Sequence, residues 1–241
     1  MGVSLMDQAK RRLYLIQSLL NENPRTAKFK IPKTQAEQEK MLKGMIYDPS
    51  DAELEKKRIK AHRLSKDFND TYEDEIEKRE LILKQLVPNI GKGTVITSPS
   101  YFDYGEFTTI GSNSFVNFNL TVLDCCPVTI GDDVFIGPNC SLLTPIHPLL
   151  SDERKIRTKA DGTLYDLEYA APIKIEDGCW IAGDVKICGG VTIGKNSVIG
   201  AGSVVTKDIP SGVFAAGNPC KVIRKITESD SIFNKKNLFE K

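Results

Sequence analysis

Histidine and tryptophan are scarce in this 241-residue chain, which has two of the former and one of the latter. With so few imidazoles and no Cys-x-x-Cys pair, the six cysteines do not make up a zinc ligand set of the usual spacing. No apolar run approaches the roughly 20 residues needed to cross a bilayer, which argues against a membrane span. Neither charge sign prevails: 33 basic residues meet 32 acidic ones, so overall charge points to neither nucleic acid nor an acidic partner. Met1–Leu20 lacks the uninterrupted apolar stretch and small-residue cleavage site of a secretory signal. Lys10, Arg11 and Arg12 suit a mitochondrial presequence, but Asp7 and Glu22 oppose one. The expectation is a cytoplasmic protein with reduced cysteines.

What the chain has in abundance is a period of six. An aliphatic residue opens a six-residue unit at Ile110, Val116 and Val122, then at Ile130, Ile136 and Leu142. A third run opens at Ile175, Ile181, Ile187, Ile193, Ile199 and Val205. Four residues after most openers sits a small or β-branched side chain: Ser114, Cys126, Val134, Cys140, Cys179, Val185, Val191, Ser197 and Ser203. Neither the helical period of 3.6 nor strand alternation yields a strict six. A repeat of short strand and turn does, with one inward slot filled by an aliphatic at each step. Stacked coils then bury a continuous aliphatic column, and Gly and Asn near the corners tolerate the tight turns. Cys126, Cys140 and Cys179 fall on the small inward slot as compact hydrophobes, which argues against disulfides.

The chain divides into four segments. Residues 1–33 form a leader helix extension whose Leu5, Ala9, Leu13, Ile16 and Leu20 recur at helical spacing until Asn23–Pro24. Residues 34–88 are charged and helical. Asp51 suits the cap of a helix carrying Leu54, Ile59, Leu64 and Phe68; a second run holds Ile76, Leu81, Ile82, Leu86 and Val87. Residues 89–212 carry the hexads, which start near Ile90, falter between Val95 and Thr109, and are interrupted by a loop over 144–174. Loops of that length without an element of their own are functional or disordered. Residues 213–241 leave the coil as a short basic tail.

Several stretches resemble the maltose and galactoside O-acetyltransferases of the hexapeptide-repeat superfamily. They are Asn117-Phe118-Asn119, Val122-Leu123-Asp124, His147-Pro148, Gly190 to Gly194, Ile199 to Pro210, and Ala216-Gly217-Asn218-Pro219. Met41-Leu42-Lys43-Gly44 through Asp51 and Leu54 is similar to that family's N-terminal segment. The resemblance runs over about residues 38–228. It implies a left-handed parallel β-helix of triangular section with an N-terminal helical block, assembled as a homotrimer with sites between neighbouring coils. Handedness comes from the resemblance alone, since ordinary parallel crossovers are right-handed. It further implies acetyl-coenzyme A as donor, a sugar hydroxyl as acceptor, and no metal.

His147 is the sharpest candidate. An alcohol attacks a thioester only as its proton is removed, and imidazole suits that task. The family's catalytic histidine matches this position. His62, within a charged helix, is expected to face solvent. Asn117 breaks the aliphatic pattern, and the resemblance makes it the donor to the oxyanion of the tetrahedral intermediate, with a place in the acceptor site. Asp103 and Asp124 are candidates for accepting sugar hydroxyls. Galactoside enzymes commonly have Ser at the position of Asp103 and an acid at that of Cys125, so the pattern here tilts toward glucose-type sugars. Asp48 and Asp51 are further carboxylates that could reach the site or cap a helix. The resemblance lays coenzyme A along Gly183, Ala201, Thr206 and Lys207, then Lys221 and Arg224, where cations suit its phosphates. Trp180 is expected to pack at a corner. Two alternatives stand beside this reading: the same mechanism on another acceptor (xenobiotic or serine), and a non-catalytic trimeric hexapeptide scaffold.

Overall fold

The computed structural model of the protein describes residues 36–239, so the leader expected over residues 1–33 lies outside the described residues. Helix α1 spans Glu37–Leu42, α2 Ala52–Asn69 and α3 Ile76–Leu86. Asp51 caps α2, accepting from the backbone N–H groups of Glu53 and Leu54, so of its two expected roles the capping one is realised. The face that α2 buries is Leu54, Ala61, Ser65 and Phe68, whereas Ile59 is largely exposed.

From Asn89 onward the chain coils into a triangular prism of short parallel strands. One face stacks Asn89–Ile90, Thr108–Ile110, Val128–Ile130, Ile173–Ile175 and Thr192–Ile193. The second stacks Val95–Ile96, Phe115–Val116, Phe135–Ile136, Trp180–Ile181, Val198–Ile199 and Val213–Ala216. The third stacks Ser100–Phe102, Leu120–Leu123, Ser141–Leu143, Lys186–Cys188 and Val204–Val205. Register keeps like positions over one another: Ile110 pairs with Ile130, Ile130 with Ile175, and Ile175 with Ile193. The same holds for Val116, Ile136, Ile181 and Ile199, and for Val122, Leu142, Ile187 and Val205. These side chains are buried, as are all nine small-slot residues, including Cys126, Cys140 and Cys179.

The first coil does not falter as the sequence suggested. Ile96 and Phe102 occupy the inward slots, and Phe102 stands where later coils place Val122 and Leu142. An aromatic in an otherwise aliphatic column hid the register. The coil also continues past residue 212: Val213–Ala216 extends the second face, and Lys221–Lys225 folds back on it antiparallel.

Corners between the first and second faces place Asn113, Asp133 and Asn196 at φ between 55° and 60°. Asn and Asp tolerate this left-handed geometry better than other residues with a Cβ, which is why they recur at these turns. Extra residues are confined to the corner between the third and first faces. There inward positions skip from Phe102 to Ile110, from Val122 to Ile130, and from Leu142 across the long insertion to Ile175.

An open coil would leave its apolar column wet at the end. Here the helical block closes it: Phe68, Leu86, Val87 and Ala61 join the column's cluster. Asn69 completes the third face, donating to Ser100 O at 3.1 Å and accepting from Ser100 N at 2.8 Å. Buried Arg79 lies over the Phe68 ring at 4.4 Å and donates to Thr71 Oγ1, Ser98 Oγ and Ile96 O. Ile187 sits at full burial in mid-column. Ile187→Ala should lower the unfolding free energy by about 2–5 kcal/mol, measured by denaturant titration.

Candidate active site

The enlarged corner between the third and first faces gathers the polar chemistry. Its long insertion is not structureless. Pro145–Ile146 pairs antiparallel with Tyr169–Ala170, and Arg157–Thr158 pairs with Leu164–Tyr165. The first pairing matches Ile146 with Tyr169, so one step further along His147 meets Glu168. The imidazole is half-exposed, with Nε2 3.5 Å from Glu168 Oε2 and Nδ1 3.7 Å from Asp166 Oδ2.

Glu168 is held from the helical block. After α1, Gly44 takes φ +68° and passes so close to Ala170 that an added Cβ would lie 2.8 Å from its carbonyl oxygen. The chain then lays Tyr47 against the insertion, with Tyr47 N donating to Glu168 O at 3.0 Å and the phenol donating to Glu168 Oε1. Tyr47 packs with Met41, Leu54, Tyr104, Cys125, Cys126 and Ala170 in a second apolar cluster under the site. Burial pushes the Glu168 carboxyl above its ordinary range, offset by the Tyr47 hydroxyl and by His147. Burial likewise raises the Cys125 thiol and the Tyr47 phenol, which keeps both protonated.

Asp48 is a brace. Its carboxylate pairs with Lys159 of the insertion and accepts from Ser50. Burial opposes ionisation, yet the Lys159 and Ser50 bonds win and lower its pKa.

Asp103 lines the cleft between α2 and the coil, with Cys125 Sγ 3.8 Å from its Oδ2. His62, expected simply to face solvent, is more than half exposed but reaches Asp103 Oδ1 at 3.3 Å. The two residues border a groove of about 390 Å³ lined also by Asn69, Tyr101, Thr121 and Leu123.

Asp124 does not belong to the acceptor set. It is fully buried and accepts from Tyr104 N at 2.8 Å and Thr108 Oγ1 at 2.9 Å, so it ties two coil corners together. Burial raises its pKa, against the pull of those bonds. A carboxylate with both oxygens engaged and no solvent exposure has nothing to offer a sugar.

Asn117 sits at the corner between the second and third faces. The left-handed turn there is taken by Asn119, at φ 60°, whose side chain donates to Asn139 Oδ1 at 2.9 Å. The left-handed position of this turn is therefore held by Asn119 and not by Asn117. Asn117 Oδ1 accepts from Phe118 N at 2.8 Å within the turn, and its amide NH₂ makes no hydrogen bond among the described residues.

Gly183 and Ala201 lie on the same corner as Asn117, and Thr206 and Lys207 on the corner that carries the insertion. A Cβ on Gly183 would meet nothing closer than 3.5 Å, so the fold itself does not demand glycine there. Lys221 and Arg224 are exposed on the returning strand. Arg224 is engaged by Asp230 through two bonds of 2.6 and 2.7 Å, which hold the Asp230 pKa down to about 2. Trp180 is not at a corner: it lies in a second-face strand and points outward, 54% exposed.

Comparison with known proteins bears on this arrangement. A maltose acetyltransferase hexapeptide capping motif matches residues 40–91, a bacterial transferase hexapeptide repeat matches 172–207, and a hexapeptide repeat of succinyl-transferase matches 127–147. The galactoside O-acetyltransferase of Escherichia coli K12 is 43% identical over 192 residues, covering 80% of this chain and 90% of that protein. The chain belongs to the maltose and galactoside O-acetyltransferase family. A putative acetyltransferase of Saccharomyces cerevisiae is 44% identical over 194 residues, 80% of this chain and 94% of its own. The crystal structure of a maltose O-acetyltransferase from Clostridium difficile 630 aligns at a TM-score of 0.74 and 45% identity, over 80% of this chain and 99% of that one. A galactoside acetyltransferase in complex with coenzyme A aligns at 0.75 and 41%, over 81% and 94%. With these family members the left-handed parallel β-helix stands as the fold class.

Sequence reasoning singled out His147, Asn117 and Asp103; it gave no sign of Asp166 and Glu168, which lie beside the His147 ring, or of Tyr47, which bonds Glu168. Among the described residues no helix is long and apolar enough to cross a membrane. Asp124→Ala would leave the Tyr104 N–H and the Thr108 hydroxyl unpaired. It should cost about 1–3 kcal/mol of stability in chemical denaturation, with acceptor preference unchanged among the molecules that stay folded.

Proposed function

We propose that the protein transfers acetyl from acetyl-coenzyme A to a sugar hydroxyl by direct attack, with His147 as general base. The observation that carries this reading is a half-exposed imidazole set against two carboxylates, Asp166 and Glu168, on an insertion that the helical block grips through Tyr47. As the acceptor oxygen bonds to the thioester carbon, His147 takes its proton. The resulting oxyanion accepts from the Asn117 amide. Collapse breaks the C–S bond, and the imidazolium returns the proton to the departing thiolate. Asp103 accepts an acceptor hydroxyl in the cleft. Gly183 and Ala201 leave room for the pantetheine arm, while Thr206, Lys207, Lys221 and Arg224 receive the phosphates, Arg224 by exchanging Asp230 for phosphate.

A homotrimer completes the site. Asn117, Gly183 and Ala201 share one corner of the prism, and His147, Thr206 and Lys207 the next, with a whole third-face strand between them. Setting the first corner of one copy against the second corner of its neighbour brings the two halves together. The second face supports such packing: Val95, Phe135 and Trp180 stack outward at 53%, 53% and 54% exposure, and Phe115 lies 6.1 Å from Phe135 between ring centroids. A scaffold without catalysis has no need for His147 set against two carboxylates or for an Asn117 amide NH₂ left without a partner among the described residues.

His147→Ala should lower turnover by roughly 100- to 10,000-fold with coenzyme A affinity near wild type, as read by thiol release over a panel of sugars and by calorimetry. A variant that keeps most of its rate refutes the base. Sedimentation should give a trimer, and Trp180→Glu should shift the protein toward monomer and lower activity in parallel. A fully active monomer refutes the shared site. Chelator should leave turnover unchanged, although His147, Asp166 and Glu168 offer ligand atoms within 4.8 Å of one another.

A further inference from the structure

We propose that Glu168, anchored by Tyr47, is the positioning residue that fixes the orientation and tautomer of His147. This rests on the reading of His147 as the base. An imidazole that must accept a proton from the acceptor needs one ring nitrogen hydrogen-free and pointed at the substrate. A carboxylate on the other nitrogen achieves this, since it holds the N–H and stabilises the imidazolium that forms.

Two carboxylates flank the ring, and they differ in how they are held. Asp166 is on the insertion, is more exposed, and among the described residues has no hydrogen bond to fix its side chain. Glu168 is only 12% exposed, lies in the register position opposite His147, and is tied to Tyr47 through both backbone and side chain. Tyr47 is itself buried among Met41, Leu54, Tyr104 and Cys125. Rigidity runs from the core to Tyr47, to Glu168, to the ring. The nitrogen facing Glu168 carries the hydrogen; the opposite one takes the acceptor proton, with the more exposed Asp166 giving way. The N-terminal block thus orients the base as well as capping the coil.

The charged and titratable groups around Glu168 come from three elements. Tyr47 faces it from the helical block, His147 and Asp166 from the insertion, and Asp103 and Cys125 from the coil corners. Apart from His147 none is cationic, so replacing Glu168 by a neutral amide removes the nearest negative charge from the imidazole. The imidazolium is then less favoured, and the acidic limb of the kcat profile moves to lower pH.

The test uses the full-length protein with acetyl-coenzyme A and the acceptor that the sugar panel identifies. Glu168→Gln should lower kcat about 10- to 100-fold, the range seen when a partner that orients a histidine is lost. Acceptor KM and coenzyme A affinity should change less than three-fold, and the acidic limb should shift to lower pH. Tyr47→Phe should lower kcat several-fold, with no further loss when added to Glu168→Gln. Glu168→Asp retains the charge but is one methylene shorter, so it should lower kcat and leave the acidic limb near its wild-type position. It also serves if the amide variant folds poorly.

A Glu168→Gln enzyme with kcat within two-fold of wild type and an unmoved acidic limb overturns the proposal. Losses from Tyr47→Phe and Glu168→Gln that simply multiply overturn the anchoring by Tyr47. Both results are distinguishable from failure of the base assignment, which His147→Ala reports alone.

Discussion

The structure depends on one constraint: every inward side chain must lie over its counterpart in the coil below. Strands of two to four residues have no independent stability, so each gains its order from the stack. Ile110, Ile130, Ile175 and Ile193 illustrate the arrangement, each paired in register and excluded from water. Dispersion and apolar burial then act along a continuous column. The corners serve the same end, with Asn113, Asp133 and Asn196 turning the chain within so few residues that no strand slips out of line.

Such a stack has ends and edges, and their treatment leads to the site. The helical block is a cap through Phe68, Arg79 and Asn69, but its far end does different work. There Gly44, Tyr47 and Asp48 grip the insertion at Ala170, Glu168 and Lys159. The insertion leaves from a corner whose residues already lie outside the column, so its polar groups do not disturb the core. His147, the candidate base, therefore sits on a segment braced from two sides, which is what pre-organisation of a base requires.

Hexads fix the coil and its small slots from sequence, because a period of six has few physical solutions; the triangular section and the hand came from the family resemblance. His147 and Asn117 stood out because each resembled a family position, and Asn117 also broke the pattern. Phe102 was overlooked as a column residue since it is aromatic, and the first coil seemed irregular in consequence. Asp124 looked like an acceptor ligand because nothing in a string of letters says whether a carboxylate meets water or a backbone N–H. Trp180 was misread for a related reason: outward positions carry no periodic signal. Glu168 could not be found, since the pairing that brings it to His147 joins positions 21 residues apart inside a segment without repeats.

Confinement of the insertions to one corner has a further meaning for how such proteins diversify. Within the coil, length is quantised: adding or removing residues preserves the stack only in whole turns of three hexads. At the corner after Leu123 and Leu143 no such rule applies, because the chain is already outside the column and any length can be spliced there. The segment that carries His147 can therefore differ in length while the coils beneath it keep their register.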